Sequence, residues 1–285
     1  MTNNMTMPAQ VASADAQPVI IVDHVWKQFR TSDYRPSLRH EAVDLLKRVL
    51  RRRRRQVQTA PPFWALQDIH FSVYRGESVA LIGHNGAGKS TLLRIMCGVT
   101  EPTQGSAMVM GTFAPLLALG AGFNLELDGR RNIYLNAAIQ GLTPRETDAV
   151  IDDIIEFADI GQFIDVPVKR YSSGMTARLG FSIAIHTLPD IVFLDEIIGV
   201  GDAAFQRKCR ARIRQLKEEG RTLLFVSHSA TDVRLLCDRT IWLSQGKLVM
   251  DGATGDVLDA YEQAMGLPNS RSSAQQQKLE DEMSI

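Results

Sequence analysis

Apolar and polar positions follow two rhythms along this chain, and the rhythms predict its elements. Apolar runs without alternation occur at Ser78-Val79-Ala80-Leu81-Ile82, Ile191-Val192-Phe193-Leu194 and Thr222-Leu223-Leu224-Phe225-Val226. Such short unbroken runs fit strands covered on both faces. Phe63 to Val73 alternates like a half-buried strand, and Val19-Ile20-Ile21-Val22 reads as a first strand from which Val25 to Phe29 turns away. Pro102-Thr103-Gln104-Gly105 reads as a turn, followed by a short strand from Ala107 to Met110. Strands are also expected around 240–243 and 248–250. Helical spacing appears from Leu92 to Met96, over 131–140, over 144–159 with Thr143 as cap and Pro144 at the first turn, over 172–187 with Leu179, Ile183 and Ala184 inward, over 202–218, and in the stretch ending at Met265. The glycine-broken segment 116–127 reads as a loop. Apolar strands alternating with helices predict an α/β domain with a largely parallel, covered sheet.

One junction carries chemistry. Gly83-His84-Asn85-Gly86-Ala87-Gly88-Lys89-Ser90-Thr91 fits G-x-x-x-x-G-K-[ST], between a buried strand and a helix. Its glycines let successive backbone N–H groups turn toward an anion, and the helix that follows adds the positive end of its dipole. Lys89 would reach the β- and γ-phosphates of a nucleotide, and the Ser90 hydroxyl would hold Mg²⁺. Parallel sheets bind ligands at the carboxyl ends of their strands. Lys89, Asp195, Glu196 and His228 all fall there. A carboxylate after four apolar residues is costly without a cation beside it, which suits Asp195 to Mg²⁺. Glu196 would polarise the attacking water, and His228 would contact that water or the γ-phosphate.

Composition narrows the partners. The chain has 285 residues and a formal net charge of +0, so no overall field attracts nucleic acid. Charge is nonetheless uneven. Residues 36–55 have the spacing of an amphipathic helix closed by Arg51 to Arg55, suited to an anionic membrane surface, to a partner, or to packing on its own domain with a solvated basic end. Cys97, Cys209 and Cys237 stand singly, without metal-ligand spacing, as reduced thiols of a cytosolic protein would. No apolar run has the length to span a bilayer, and the first residues lack the apolar core of a signal peptide. Residues 1–17 are expected to be disordered, 18–266 to form the folded domain, with a basic insertion at 30–62, and 267–285 to form a polar tail.

The order of these motifs, with Tyr171-Ser172-Ser173-Gly174-Met175 before a helix and Gly201-Asp202 after Glu196, resembles the ATP-binding subunits of ABC transporters from Val19 to Met265. That pentapeptide departs from the usual L-S-G-G-Q at Tyr171, Ser173 and Met175. It keeps the Ser172 hydroxyl, the Gly174 amide and a helix N-terminus, which bind phosphate. The departures, the stretch Leu119-Gly120-Ala121-Gly122-Phe123, the run Val200 to Cys209 and the arginine-rich insertion resemble one subfamily, the exporters of O-antigen, capsule and teichoic acid. The resemblance implies a P-loop NTPase ABC domain with a RecA-like core, an antiparallel β subdomain and a helical subdomain at 129–187. It further implies a homodimer on the cytoplasmic face of the inner membrane, beneath two permease subunits. ATP would be clamped between the Lys89 loop of one copy and the Ser172-Ser173-Gly174 turn of the other, and hydrolysis would drive lipid-linked polysaccharide outward. The family's aromatic that stacks on adenine is best matched by Phe29, with Phe63 and Trp64 as alternatives. Its Mg²⁺-facing glutamine has no counterpart between Pro115 and Asn132, leaving water or Glu126. Nucleic-acid ABC ATPases carry long coiled-coil insertions or two cassettes, and neither is present. Glycan-binding C-terminal β-domains are not expected beyond Met265.

Overall fold

The computed structural model describes residues 17–29, 62–115, 120, 122–187, 189–195, 201–267 and 270. Its strands are β1 (Pro18–Phe29), β2 (Phe63–Tyr74), β3 (Ser78–Ile82), β4 (Gln104–Val109), β5 (Phe113–Pro115), β6 (Ile191–Asp195), β7 (Thr222–Val226), β8 (Arg239–Ser244) and β9 (Lys247–Ala253). Its helices are α1 (Lys89–Met96), α2 (Gly129–Ile139), α3 (Pro144–Ala158), α4 (Ser173–His186), α5 (Ala203–Glu218), α6 (Ala230–Leu236) and α7 (Thr254–Met265). The basic insertion, the first residues, the segment 116–119 and Glu196 lie outside the described residues.

The larger sheet has the order β5-β6-β7-β3-β8-β9, parallel except for the β8–β9 hairpin. Both faces are covered, and the side chains show it residue by residue. Val79 and Leu81 of β3, Ile191 and Phe193 of β6, and Leu224 and Val226 of β7 face one core, which also holds Leu92 and Leu93 of α1. Ala80, Val192, Leu194, Leu223 and Phe225 face the other, against α4, α5, α6 and α7. A side chain to each face at every second residue requires the unbroken apolar runs of the sequence. A third cluster holds the helical layer together, with Ile133 of α2, Ile151 and Ile154 of α3, and Leu179 and Ile183 of α4.

A second, antiparallel sheet, β2-β1-β4, lies over the first core. Here two expectations fail. Val25 to Phe29 does not turn away from Val19–Val22 but continues it, because bulges absorb the break and β1 stays paired with β2 as far as Phe29. The expected turn at Gln104-Gly105 is instead the start of β4. A Cβ on Gly105 would lie 2.1 Å from the His24 carbonyl, so only glycine lets β4 approach the β1 bulge.

Local signals set the helix starts. Thr143 accepts the Glu146 N–H while the Glu146 carboxylate accepts the Thr143 N–H, a full capping box. Ser172 and Asp202 cap α4 and α5 through Met175 N–H and Phe205 N–H. The short α6, capped by Ser229, has no counterpart in the sequence reading. Cys209 and Cys237 are buried and Cys97 is half-buried, all three as free thiols. Burial pushes the Cys97 and Cys209 thiols up to about 12, far from the reactive thiolate range.

Candidate functional site

The loop between β3 and α1 is shaped by what surrounds it. Gly83 has φ +150, and a Cβ there would lie 2.2 Å from the Leu243 carbonyl of β8. Gly88, at φ +106, caps α1, and its Cβ would lie 2.7 Å from both the Ala65 carbonyl and Leu66 Cδ2. The loop is thus wedged between β8 and β2 with no room for side chains on its inner side. The tip of the β8–β9 hairpin closes it from below. Gly246 N–H donates to the Ala87 carbonyl at 3.1 Å, and Gln67 N–H donates to the Gly246 carbonyl at 2.7 Å. Gln245 and Gly246 both have positive φ, as a two-residue hairpin turn demands. Sequence reasoning missed this buttress, although a two-residue Gln-Gly turn between short strands is a legible signal.

Lys89 is only 6 % exposed. Its ammonium donates to the Gly83 carbonyl at 2.6 Å and the His84 carbonyl at 3.2 Å, so the charge sits within the curve of the loop. His84 Nδ1 bonds the Asn85 carbonyl at 2.7 Å, while Asn85 and Gly86 are exposed at the tip. Ser90 is exposed in the first turn of α1, with Thr91 half-buried beside it. A buried cation, inward-turned glycines and a helix N-terminus together form a cradle for a polyanion. We expect Gly83→Ala to destabilise the chain by about 2–4 kcal/mol, from the clash with Leu243 and the strained φ. Urea unfolding should show it as a lower midpoint at unchanged slope.

Parallel register brings the other sequence-predicted residues to the same edge. Leu81 of β3 pairs with Val226 of β7, and Val226 pairs with Asp195 of β6. With strands about 4.8 Å apart, the Asp195 backbone lies about 10 Å from the loop strand. His228 follows β7 and is exposed, and the buried Ser227 N–H reaches the Leu81 carbonyl at 3.4 Å. Glu196 lies outside the described residues. Hydroxyl and carboxylate groups are the hard oxygen donors that Mg²⁺ takes, so Ser90 and Asp195 are a donor set that fits it.

Ser172 and Ser173 are set apart from this edge. Both are exposed at the start of α4, and Ser172 lies about 13 Å along the helix from Phe181, which packs on the sheet. The departures at Tyr171 and Met175 have an internal cause. Both side chains pack on the helical cluster, and the Tyr171 hydroxyl donates to the Phe163 carbonyl at 2.7 Å. Gly174 is different, because a Cβ there would meet nothing among the described residues nearer than Ser172 Oγ at 3.8 Å. Glycine early in a helix costs up to about 1 kcal/mol against alanine, and nothing among the described residues requires it. Arg178, three residues after Met175, was not singled out from sequence. It donates to Asp202 Oδ2 at 2.7 Å and stacks on Phe205 at 4.7 Å, tying α4 to the segment after β6. Asp202 is held below the usual carboxylate range, first by the Phe205 N–H it caps and also by Arg178.

Of the aromatic candidates, Phe29 and Phe63 face each other across β1 and β2 and are 39 % and 62 % exposed. They lie two residues along β2 from Ala65, against which Gly88 packs. Trp64 is committed to edge-on packing with Trp26, 5.5 Å between ring centres. Glu126 pairs with Lys169 at 2.5 Å.

Residues 66–199 match the family model described as ABC transporter. The chain is 44 % identical to the O-antigen export system ATP-binding protein RfbB of Klebsiella pneumoniae, over 87 % of this chain and 99 % of that one. It is 45 % identical to the teichoic acids export ATP-binding protein TagH of Listeria monocytogenes, over 72 % of this chain and 61 % of that one. A dimeric post-hydrolysis structure of the ATP-binding cassette MJ0796, bound to ADP and Pi, superposes with a TM-score of 0.63 at 18 % identity, covering 82 % of this chain and 98 % of that one.

Proposed function

The chain belongs to the ABC transporter family of ATP-binding, ATP-hydrolysing proteins, and from that premise we propose that it powers export of a lipid-linked polysaccharide across the inner membrane. The observation that carries the cargo class is the 44 % identity to an O-antigen export protein over 99 % of that protein's length. No described helix is long and apolar enough to cross a membrane. The relatives' role as ATP-binding proteins of export systems supports a peripheral subunit docked on the cytoplasmic face of a membrane permease.

In this reading the loop Gly83 to Thr91 wraps the nucleotide phosphates with backbone N–H groups, and Lys89 shifts from the Gly83 and His84 carbonyls to phosphate oxygens. Ser90 and Asp195 would hold Mg²⁺, which would supply positive charge to offset that of the phosphates. Glu196 accepts a proton from the attacking water, and His228 orients that water or the γ-phosphate. Phe29, or Phe63 beside it, covers the adenine. The Ser172-Ser173-Gly174 turn belongs to the opposite copy's nucleotide. Its outward exposure and the unrequired glycine support that assignment. The helices from 129 to 187 thus form the arm that reaches the second copy.

The test is transport itself. In proteoliposomes holding the chain with its permease, lipid-linked polysaccharide should stimulate ATP hydrolysis and appear on the side away from the chain. Lys89→Ala should abolish both. Stimulation by another lipid or a drug, with the glycan inert, would assign the motor to a different cargo. Absence of nucleotide hydrolysis by the complex would remove the motor.

A further inference from the structure

Three side chains that take no part in the nucleotide site meet on the outer face of the antiparallel sheet. His24, Asp68 and His70 offer ligand atoms that all lie within 4.8 Å of one another. We propose that these two imidazoles and one carboxylate form a site for a borderline divalent transition ion such as Zn²⁺ or Co²⁺.

Two back-to-back bulges build the cluster. On β1, Asp23 and His24 together oppose His70, since Val22 pairs with Phe71 and Val25 with Ile69. On β2, Gln67 and Asp68 together oppose Trp26, since the next pair is Lys27 with Leu66. The two extra residues, His24 and Asp68, have φ of +45° and +55°. Regular pleating would send alternate side chains to opposite faces, and the bulges instead re-aim these toward each other. The third strand accommodates the distortion, because Gly105 of β4 lies where any Cβ would meet the His24 carbonyl at 2.1 Å. All three strands are therefore shaped around one point.

The contacts at that point are those of a coordination site. His24 Nδ1 and Asp68 Oδ1 are 2.6 Å apart, and the two imidazole rings are 5.1 Å apart. His70 Nδ1 lies 3.3 Å from the Asp68 carbonyl. A carbonyl only accepts, so Nδ1 carries the hydrogen and the lone pair stands on Nε2. Metal-binding histidines are oriented by this kind of N–H to carbonyl contact. An ion entering between His24 and Asp68 would take the place of their hydrogen bond and gain His70 Nε2 as a third ligand. Water would complete the tetrahedron, which suits the exposure of all three residues. Two nitrogen donors favour Zn²⁺, Co²⁺ or Ni²⁺ over Mg²⁺ and Ca²⁺, which take oxygen. Such an ion would cross-link β1 to β2.

The test titrates untagged, chelator-free full chain with Co²⁺, followed by visible absorption, and then displaces it with Zn²⁺. One ion per chain should bind, with a nitrogen–oxygen ligand-field spectrum, and excess Mg²⁺ should not displace it. His24→Asn keeps a residue type tolerant of positive φ, and His70→Gln keeps a polar outer face. Each, like Asp68→Asn, should weaken binding by at least the roughly 10–100-fold that loss of one supporting contact costs. Zn²⁺ should raise the Tm of the parent chain and not that of the H24N/H70Q variant, while ATP hydrolysis by that variant stays at the parent level. Equal affinity in parent and double variant would overturn the proposal. So would a thiolate charge-transfer band, or a parent chain that binds neither ion.

Discussion

Glu196→Gln is expected to lower ATP turnover by about 10³-fold, within the range that loss of a positioned base produces. ATP affinity should remain at the parent level. The substitution keeps the size and hydrogen-bonding shape of the side chain and removes only its capacity to take a proton. Its position in the chain supplies the argument. Asp195 closes β6 in register with Val226 of β7, which itself pairs with Leu81 just before the phosphate loop. β6 therefore ends at the edge where Lys89 and His228 also emerge, and Glu196 is the next residue in the chain. With hydrolysis blocked and ATP retained, the pair of chains should stay closed, and size-exclusion chromatography with ATP and Mg²⁺ should show a dimer that the parent only visits. Turnover equal to the parent's would remove Glu196 from the role of base.

The second large effect separates folding from assembly. Gly174→Asp should fold normally, because among the described residues its Cβ meets only Ser172 Oγ at 3.8 Å and an acidic group in the first turn of α4 suits the helix dipole. Nucleotide binding to the separate chain should survive as well, since the loop at Gly83 to Thr91 is untouched. Turnover should fall by about three powers of ten. A carboxylate about 4 Å from a phosphate charge costs on the order of 4 kcal/mol at a protein surface. Mixing makes the test decisive. A chain carrying Lys89→Ala has a defective loop and an intact serine turn, whereas Gly174→Asp has the reverse. Their heterodimer holds one site with both parts intact, so an equal mixture should recover about a quarter of parent turnover if sites act independently. A mixture as inactive as its components would show that the serine turn serves its own chain's loop.

The corrections to the sequence reading share a cause. Thr143, Ser172 and Asp202 were legible as helix starts because a cap acts over three residues and needs no distant partner. The seven-residue α6 was not, being too short to show a periodic face. At β1 the break after Val22 was real in the pattern. Its meaning was set by β2 and β4, which hold the strand on course across the bulge. Gln104-Gly105 looked like a turn for the same reason. Glycine marks both turns and close approaches, and only the neighbouring strand distinguishes them.

By itself the sequence determined the strand–loop–helix at Gly83 to Thr91, the buried strands on either side of it, and Asp195 and His228 at their ends. Each of these is written in residues close together, where backbone geometry and the two-residue period act directly. Tertiary structure alone decided that β3 lies between β7 and β8, that the Gln245-Gly246 turn props the loop, that Tyr171 and Met175 turn inward while Ser172 faces out, and that His24, Asp68 and His70 converge. Those facts depend on pairings between residues far apart in the chain, whose register is set by burial on a shared sheet face and by bulges that no local pattern records.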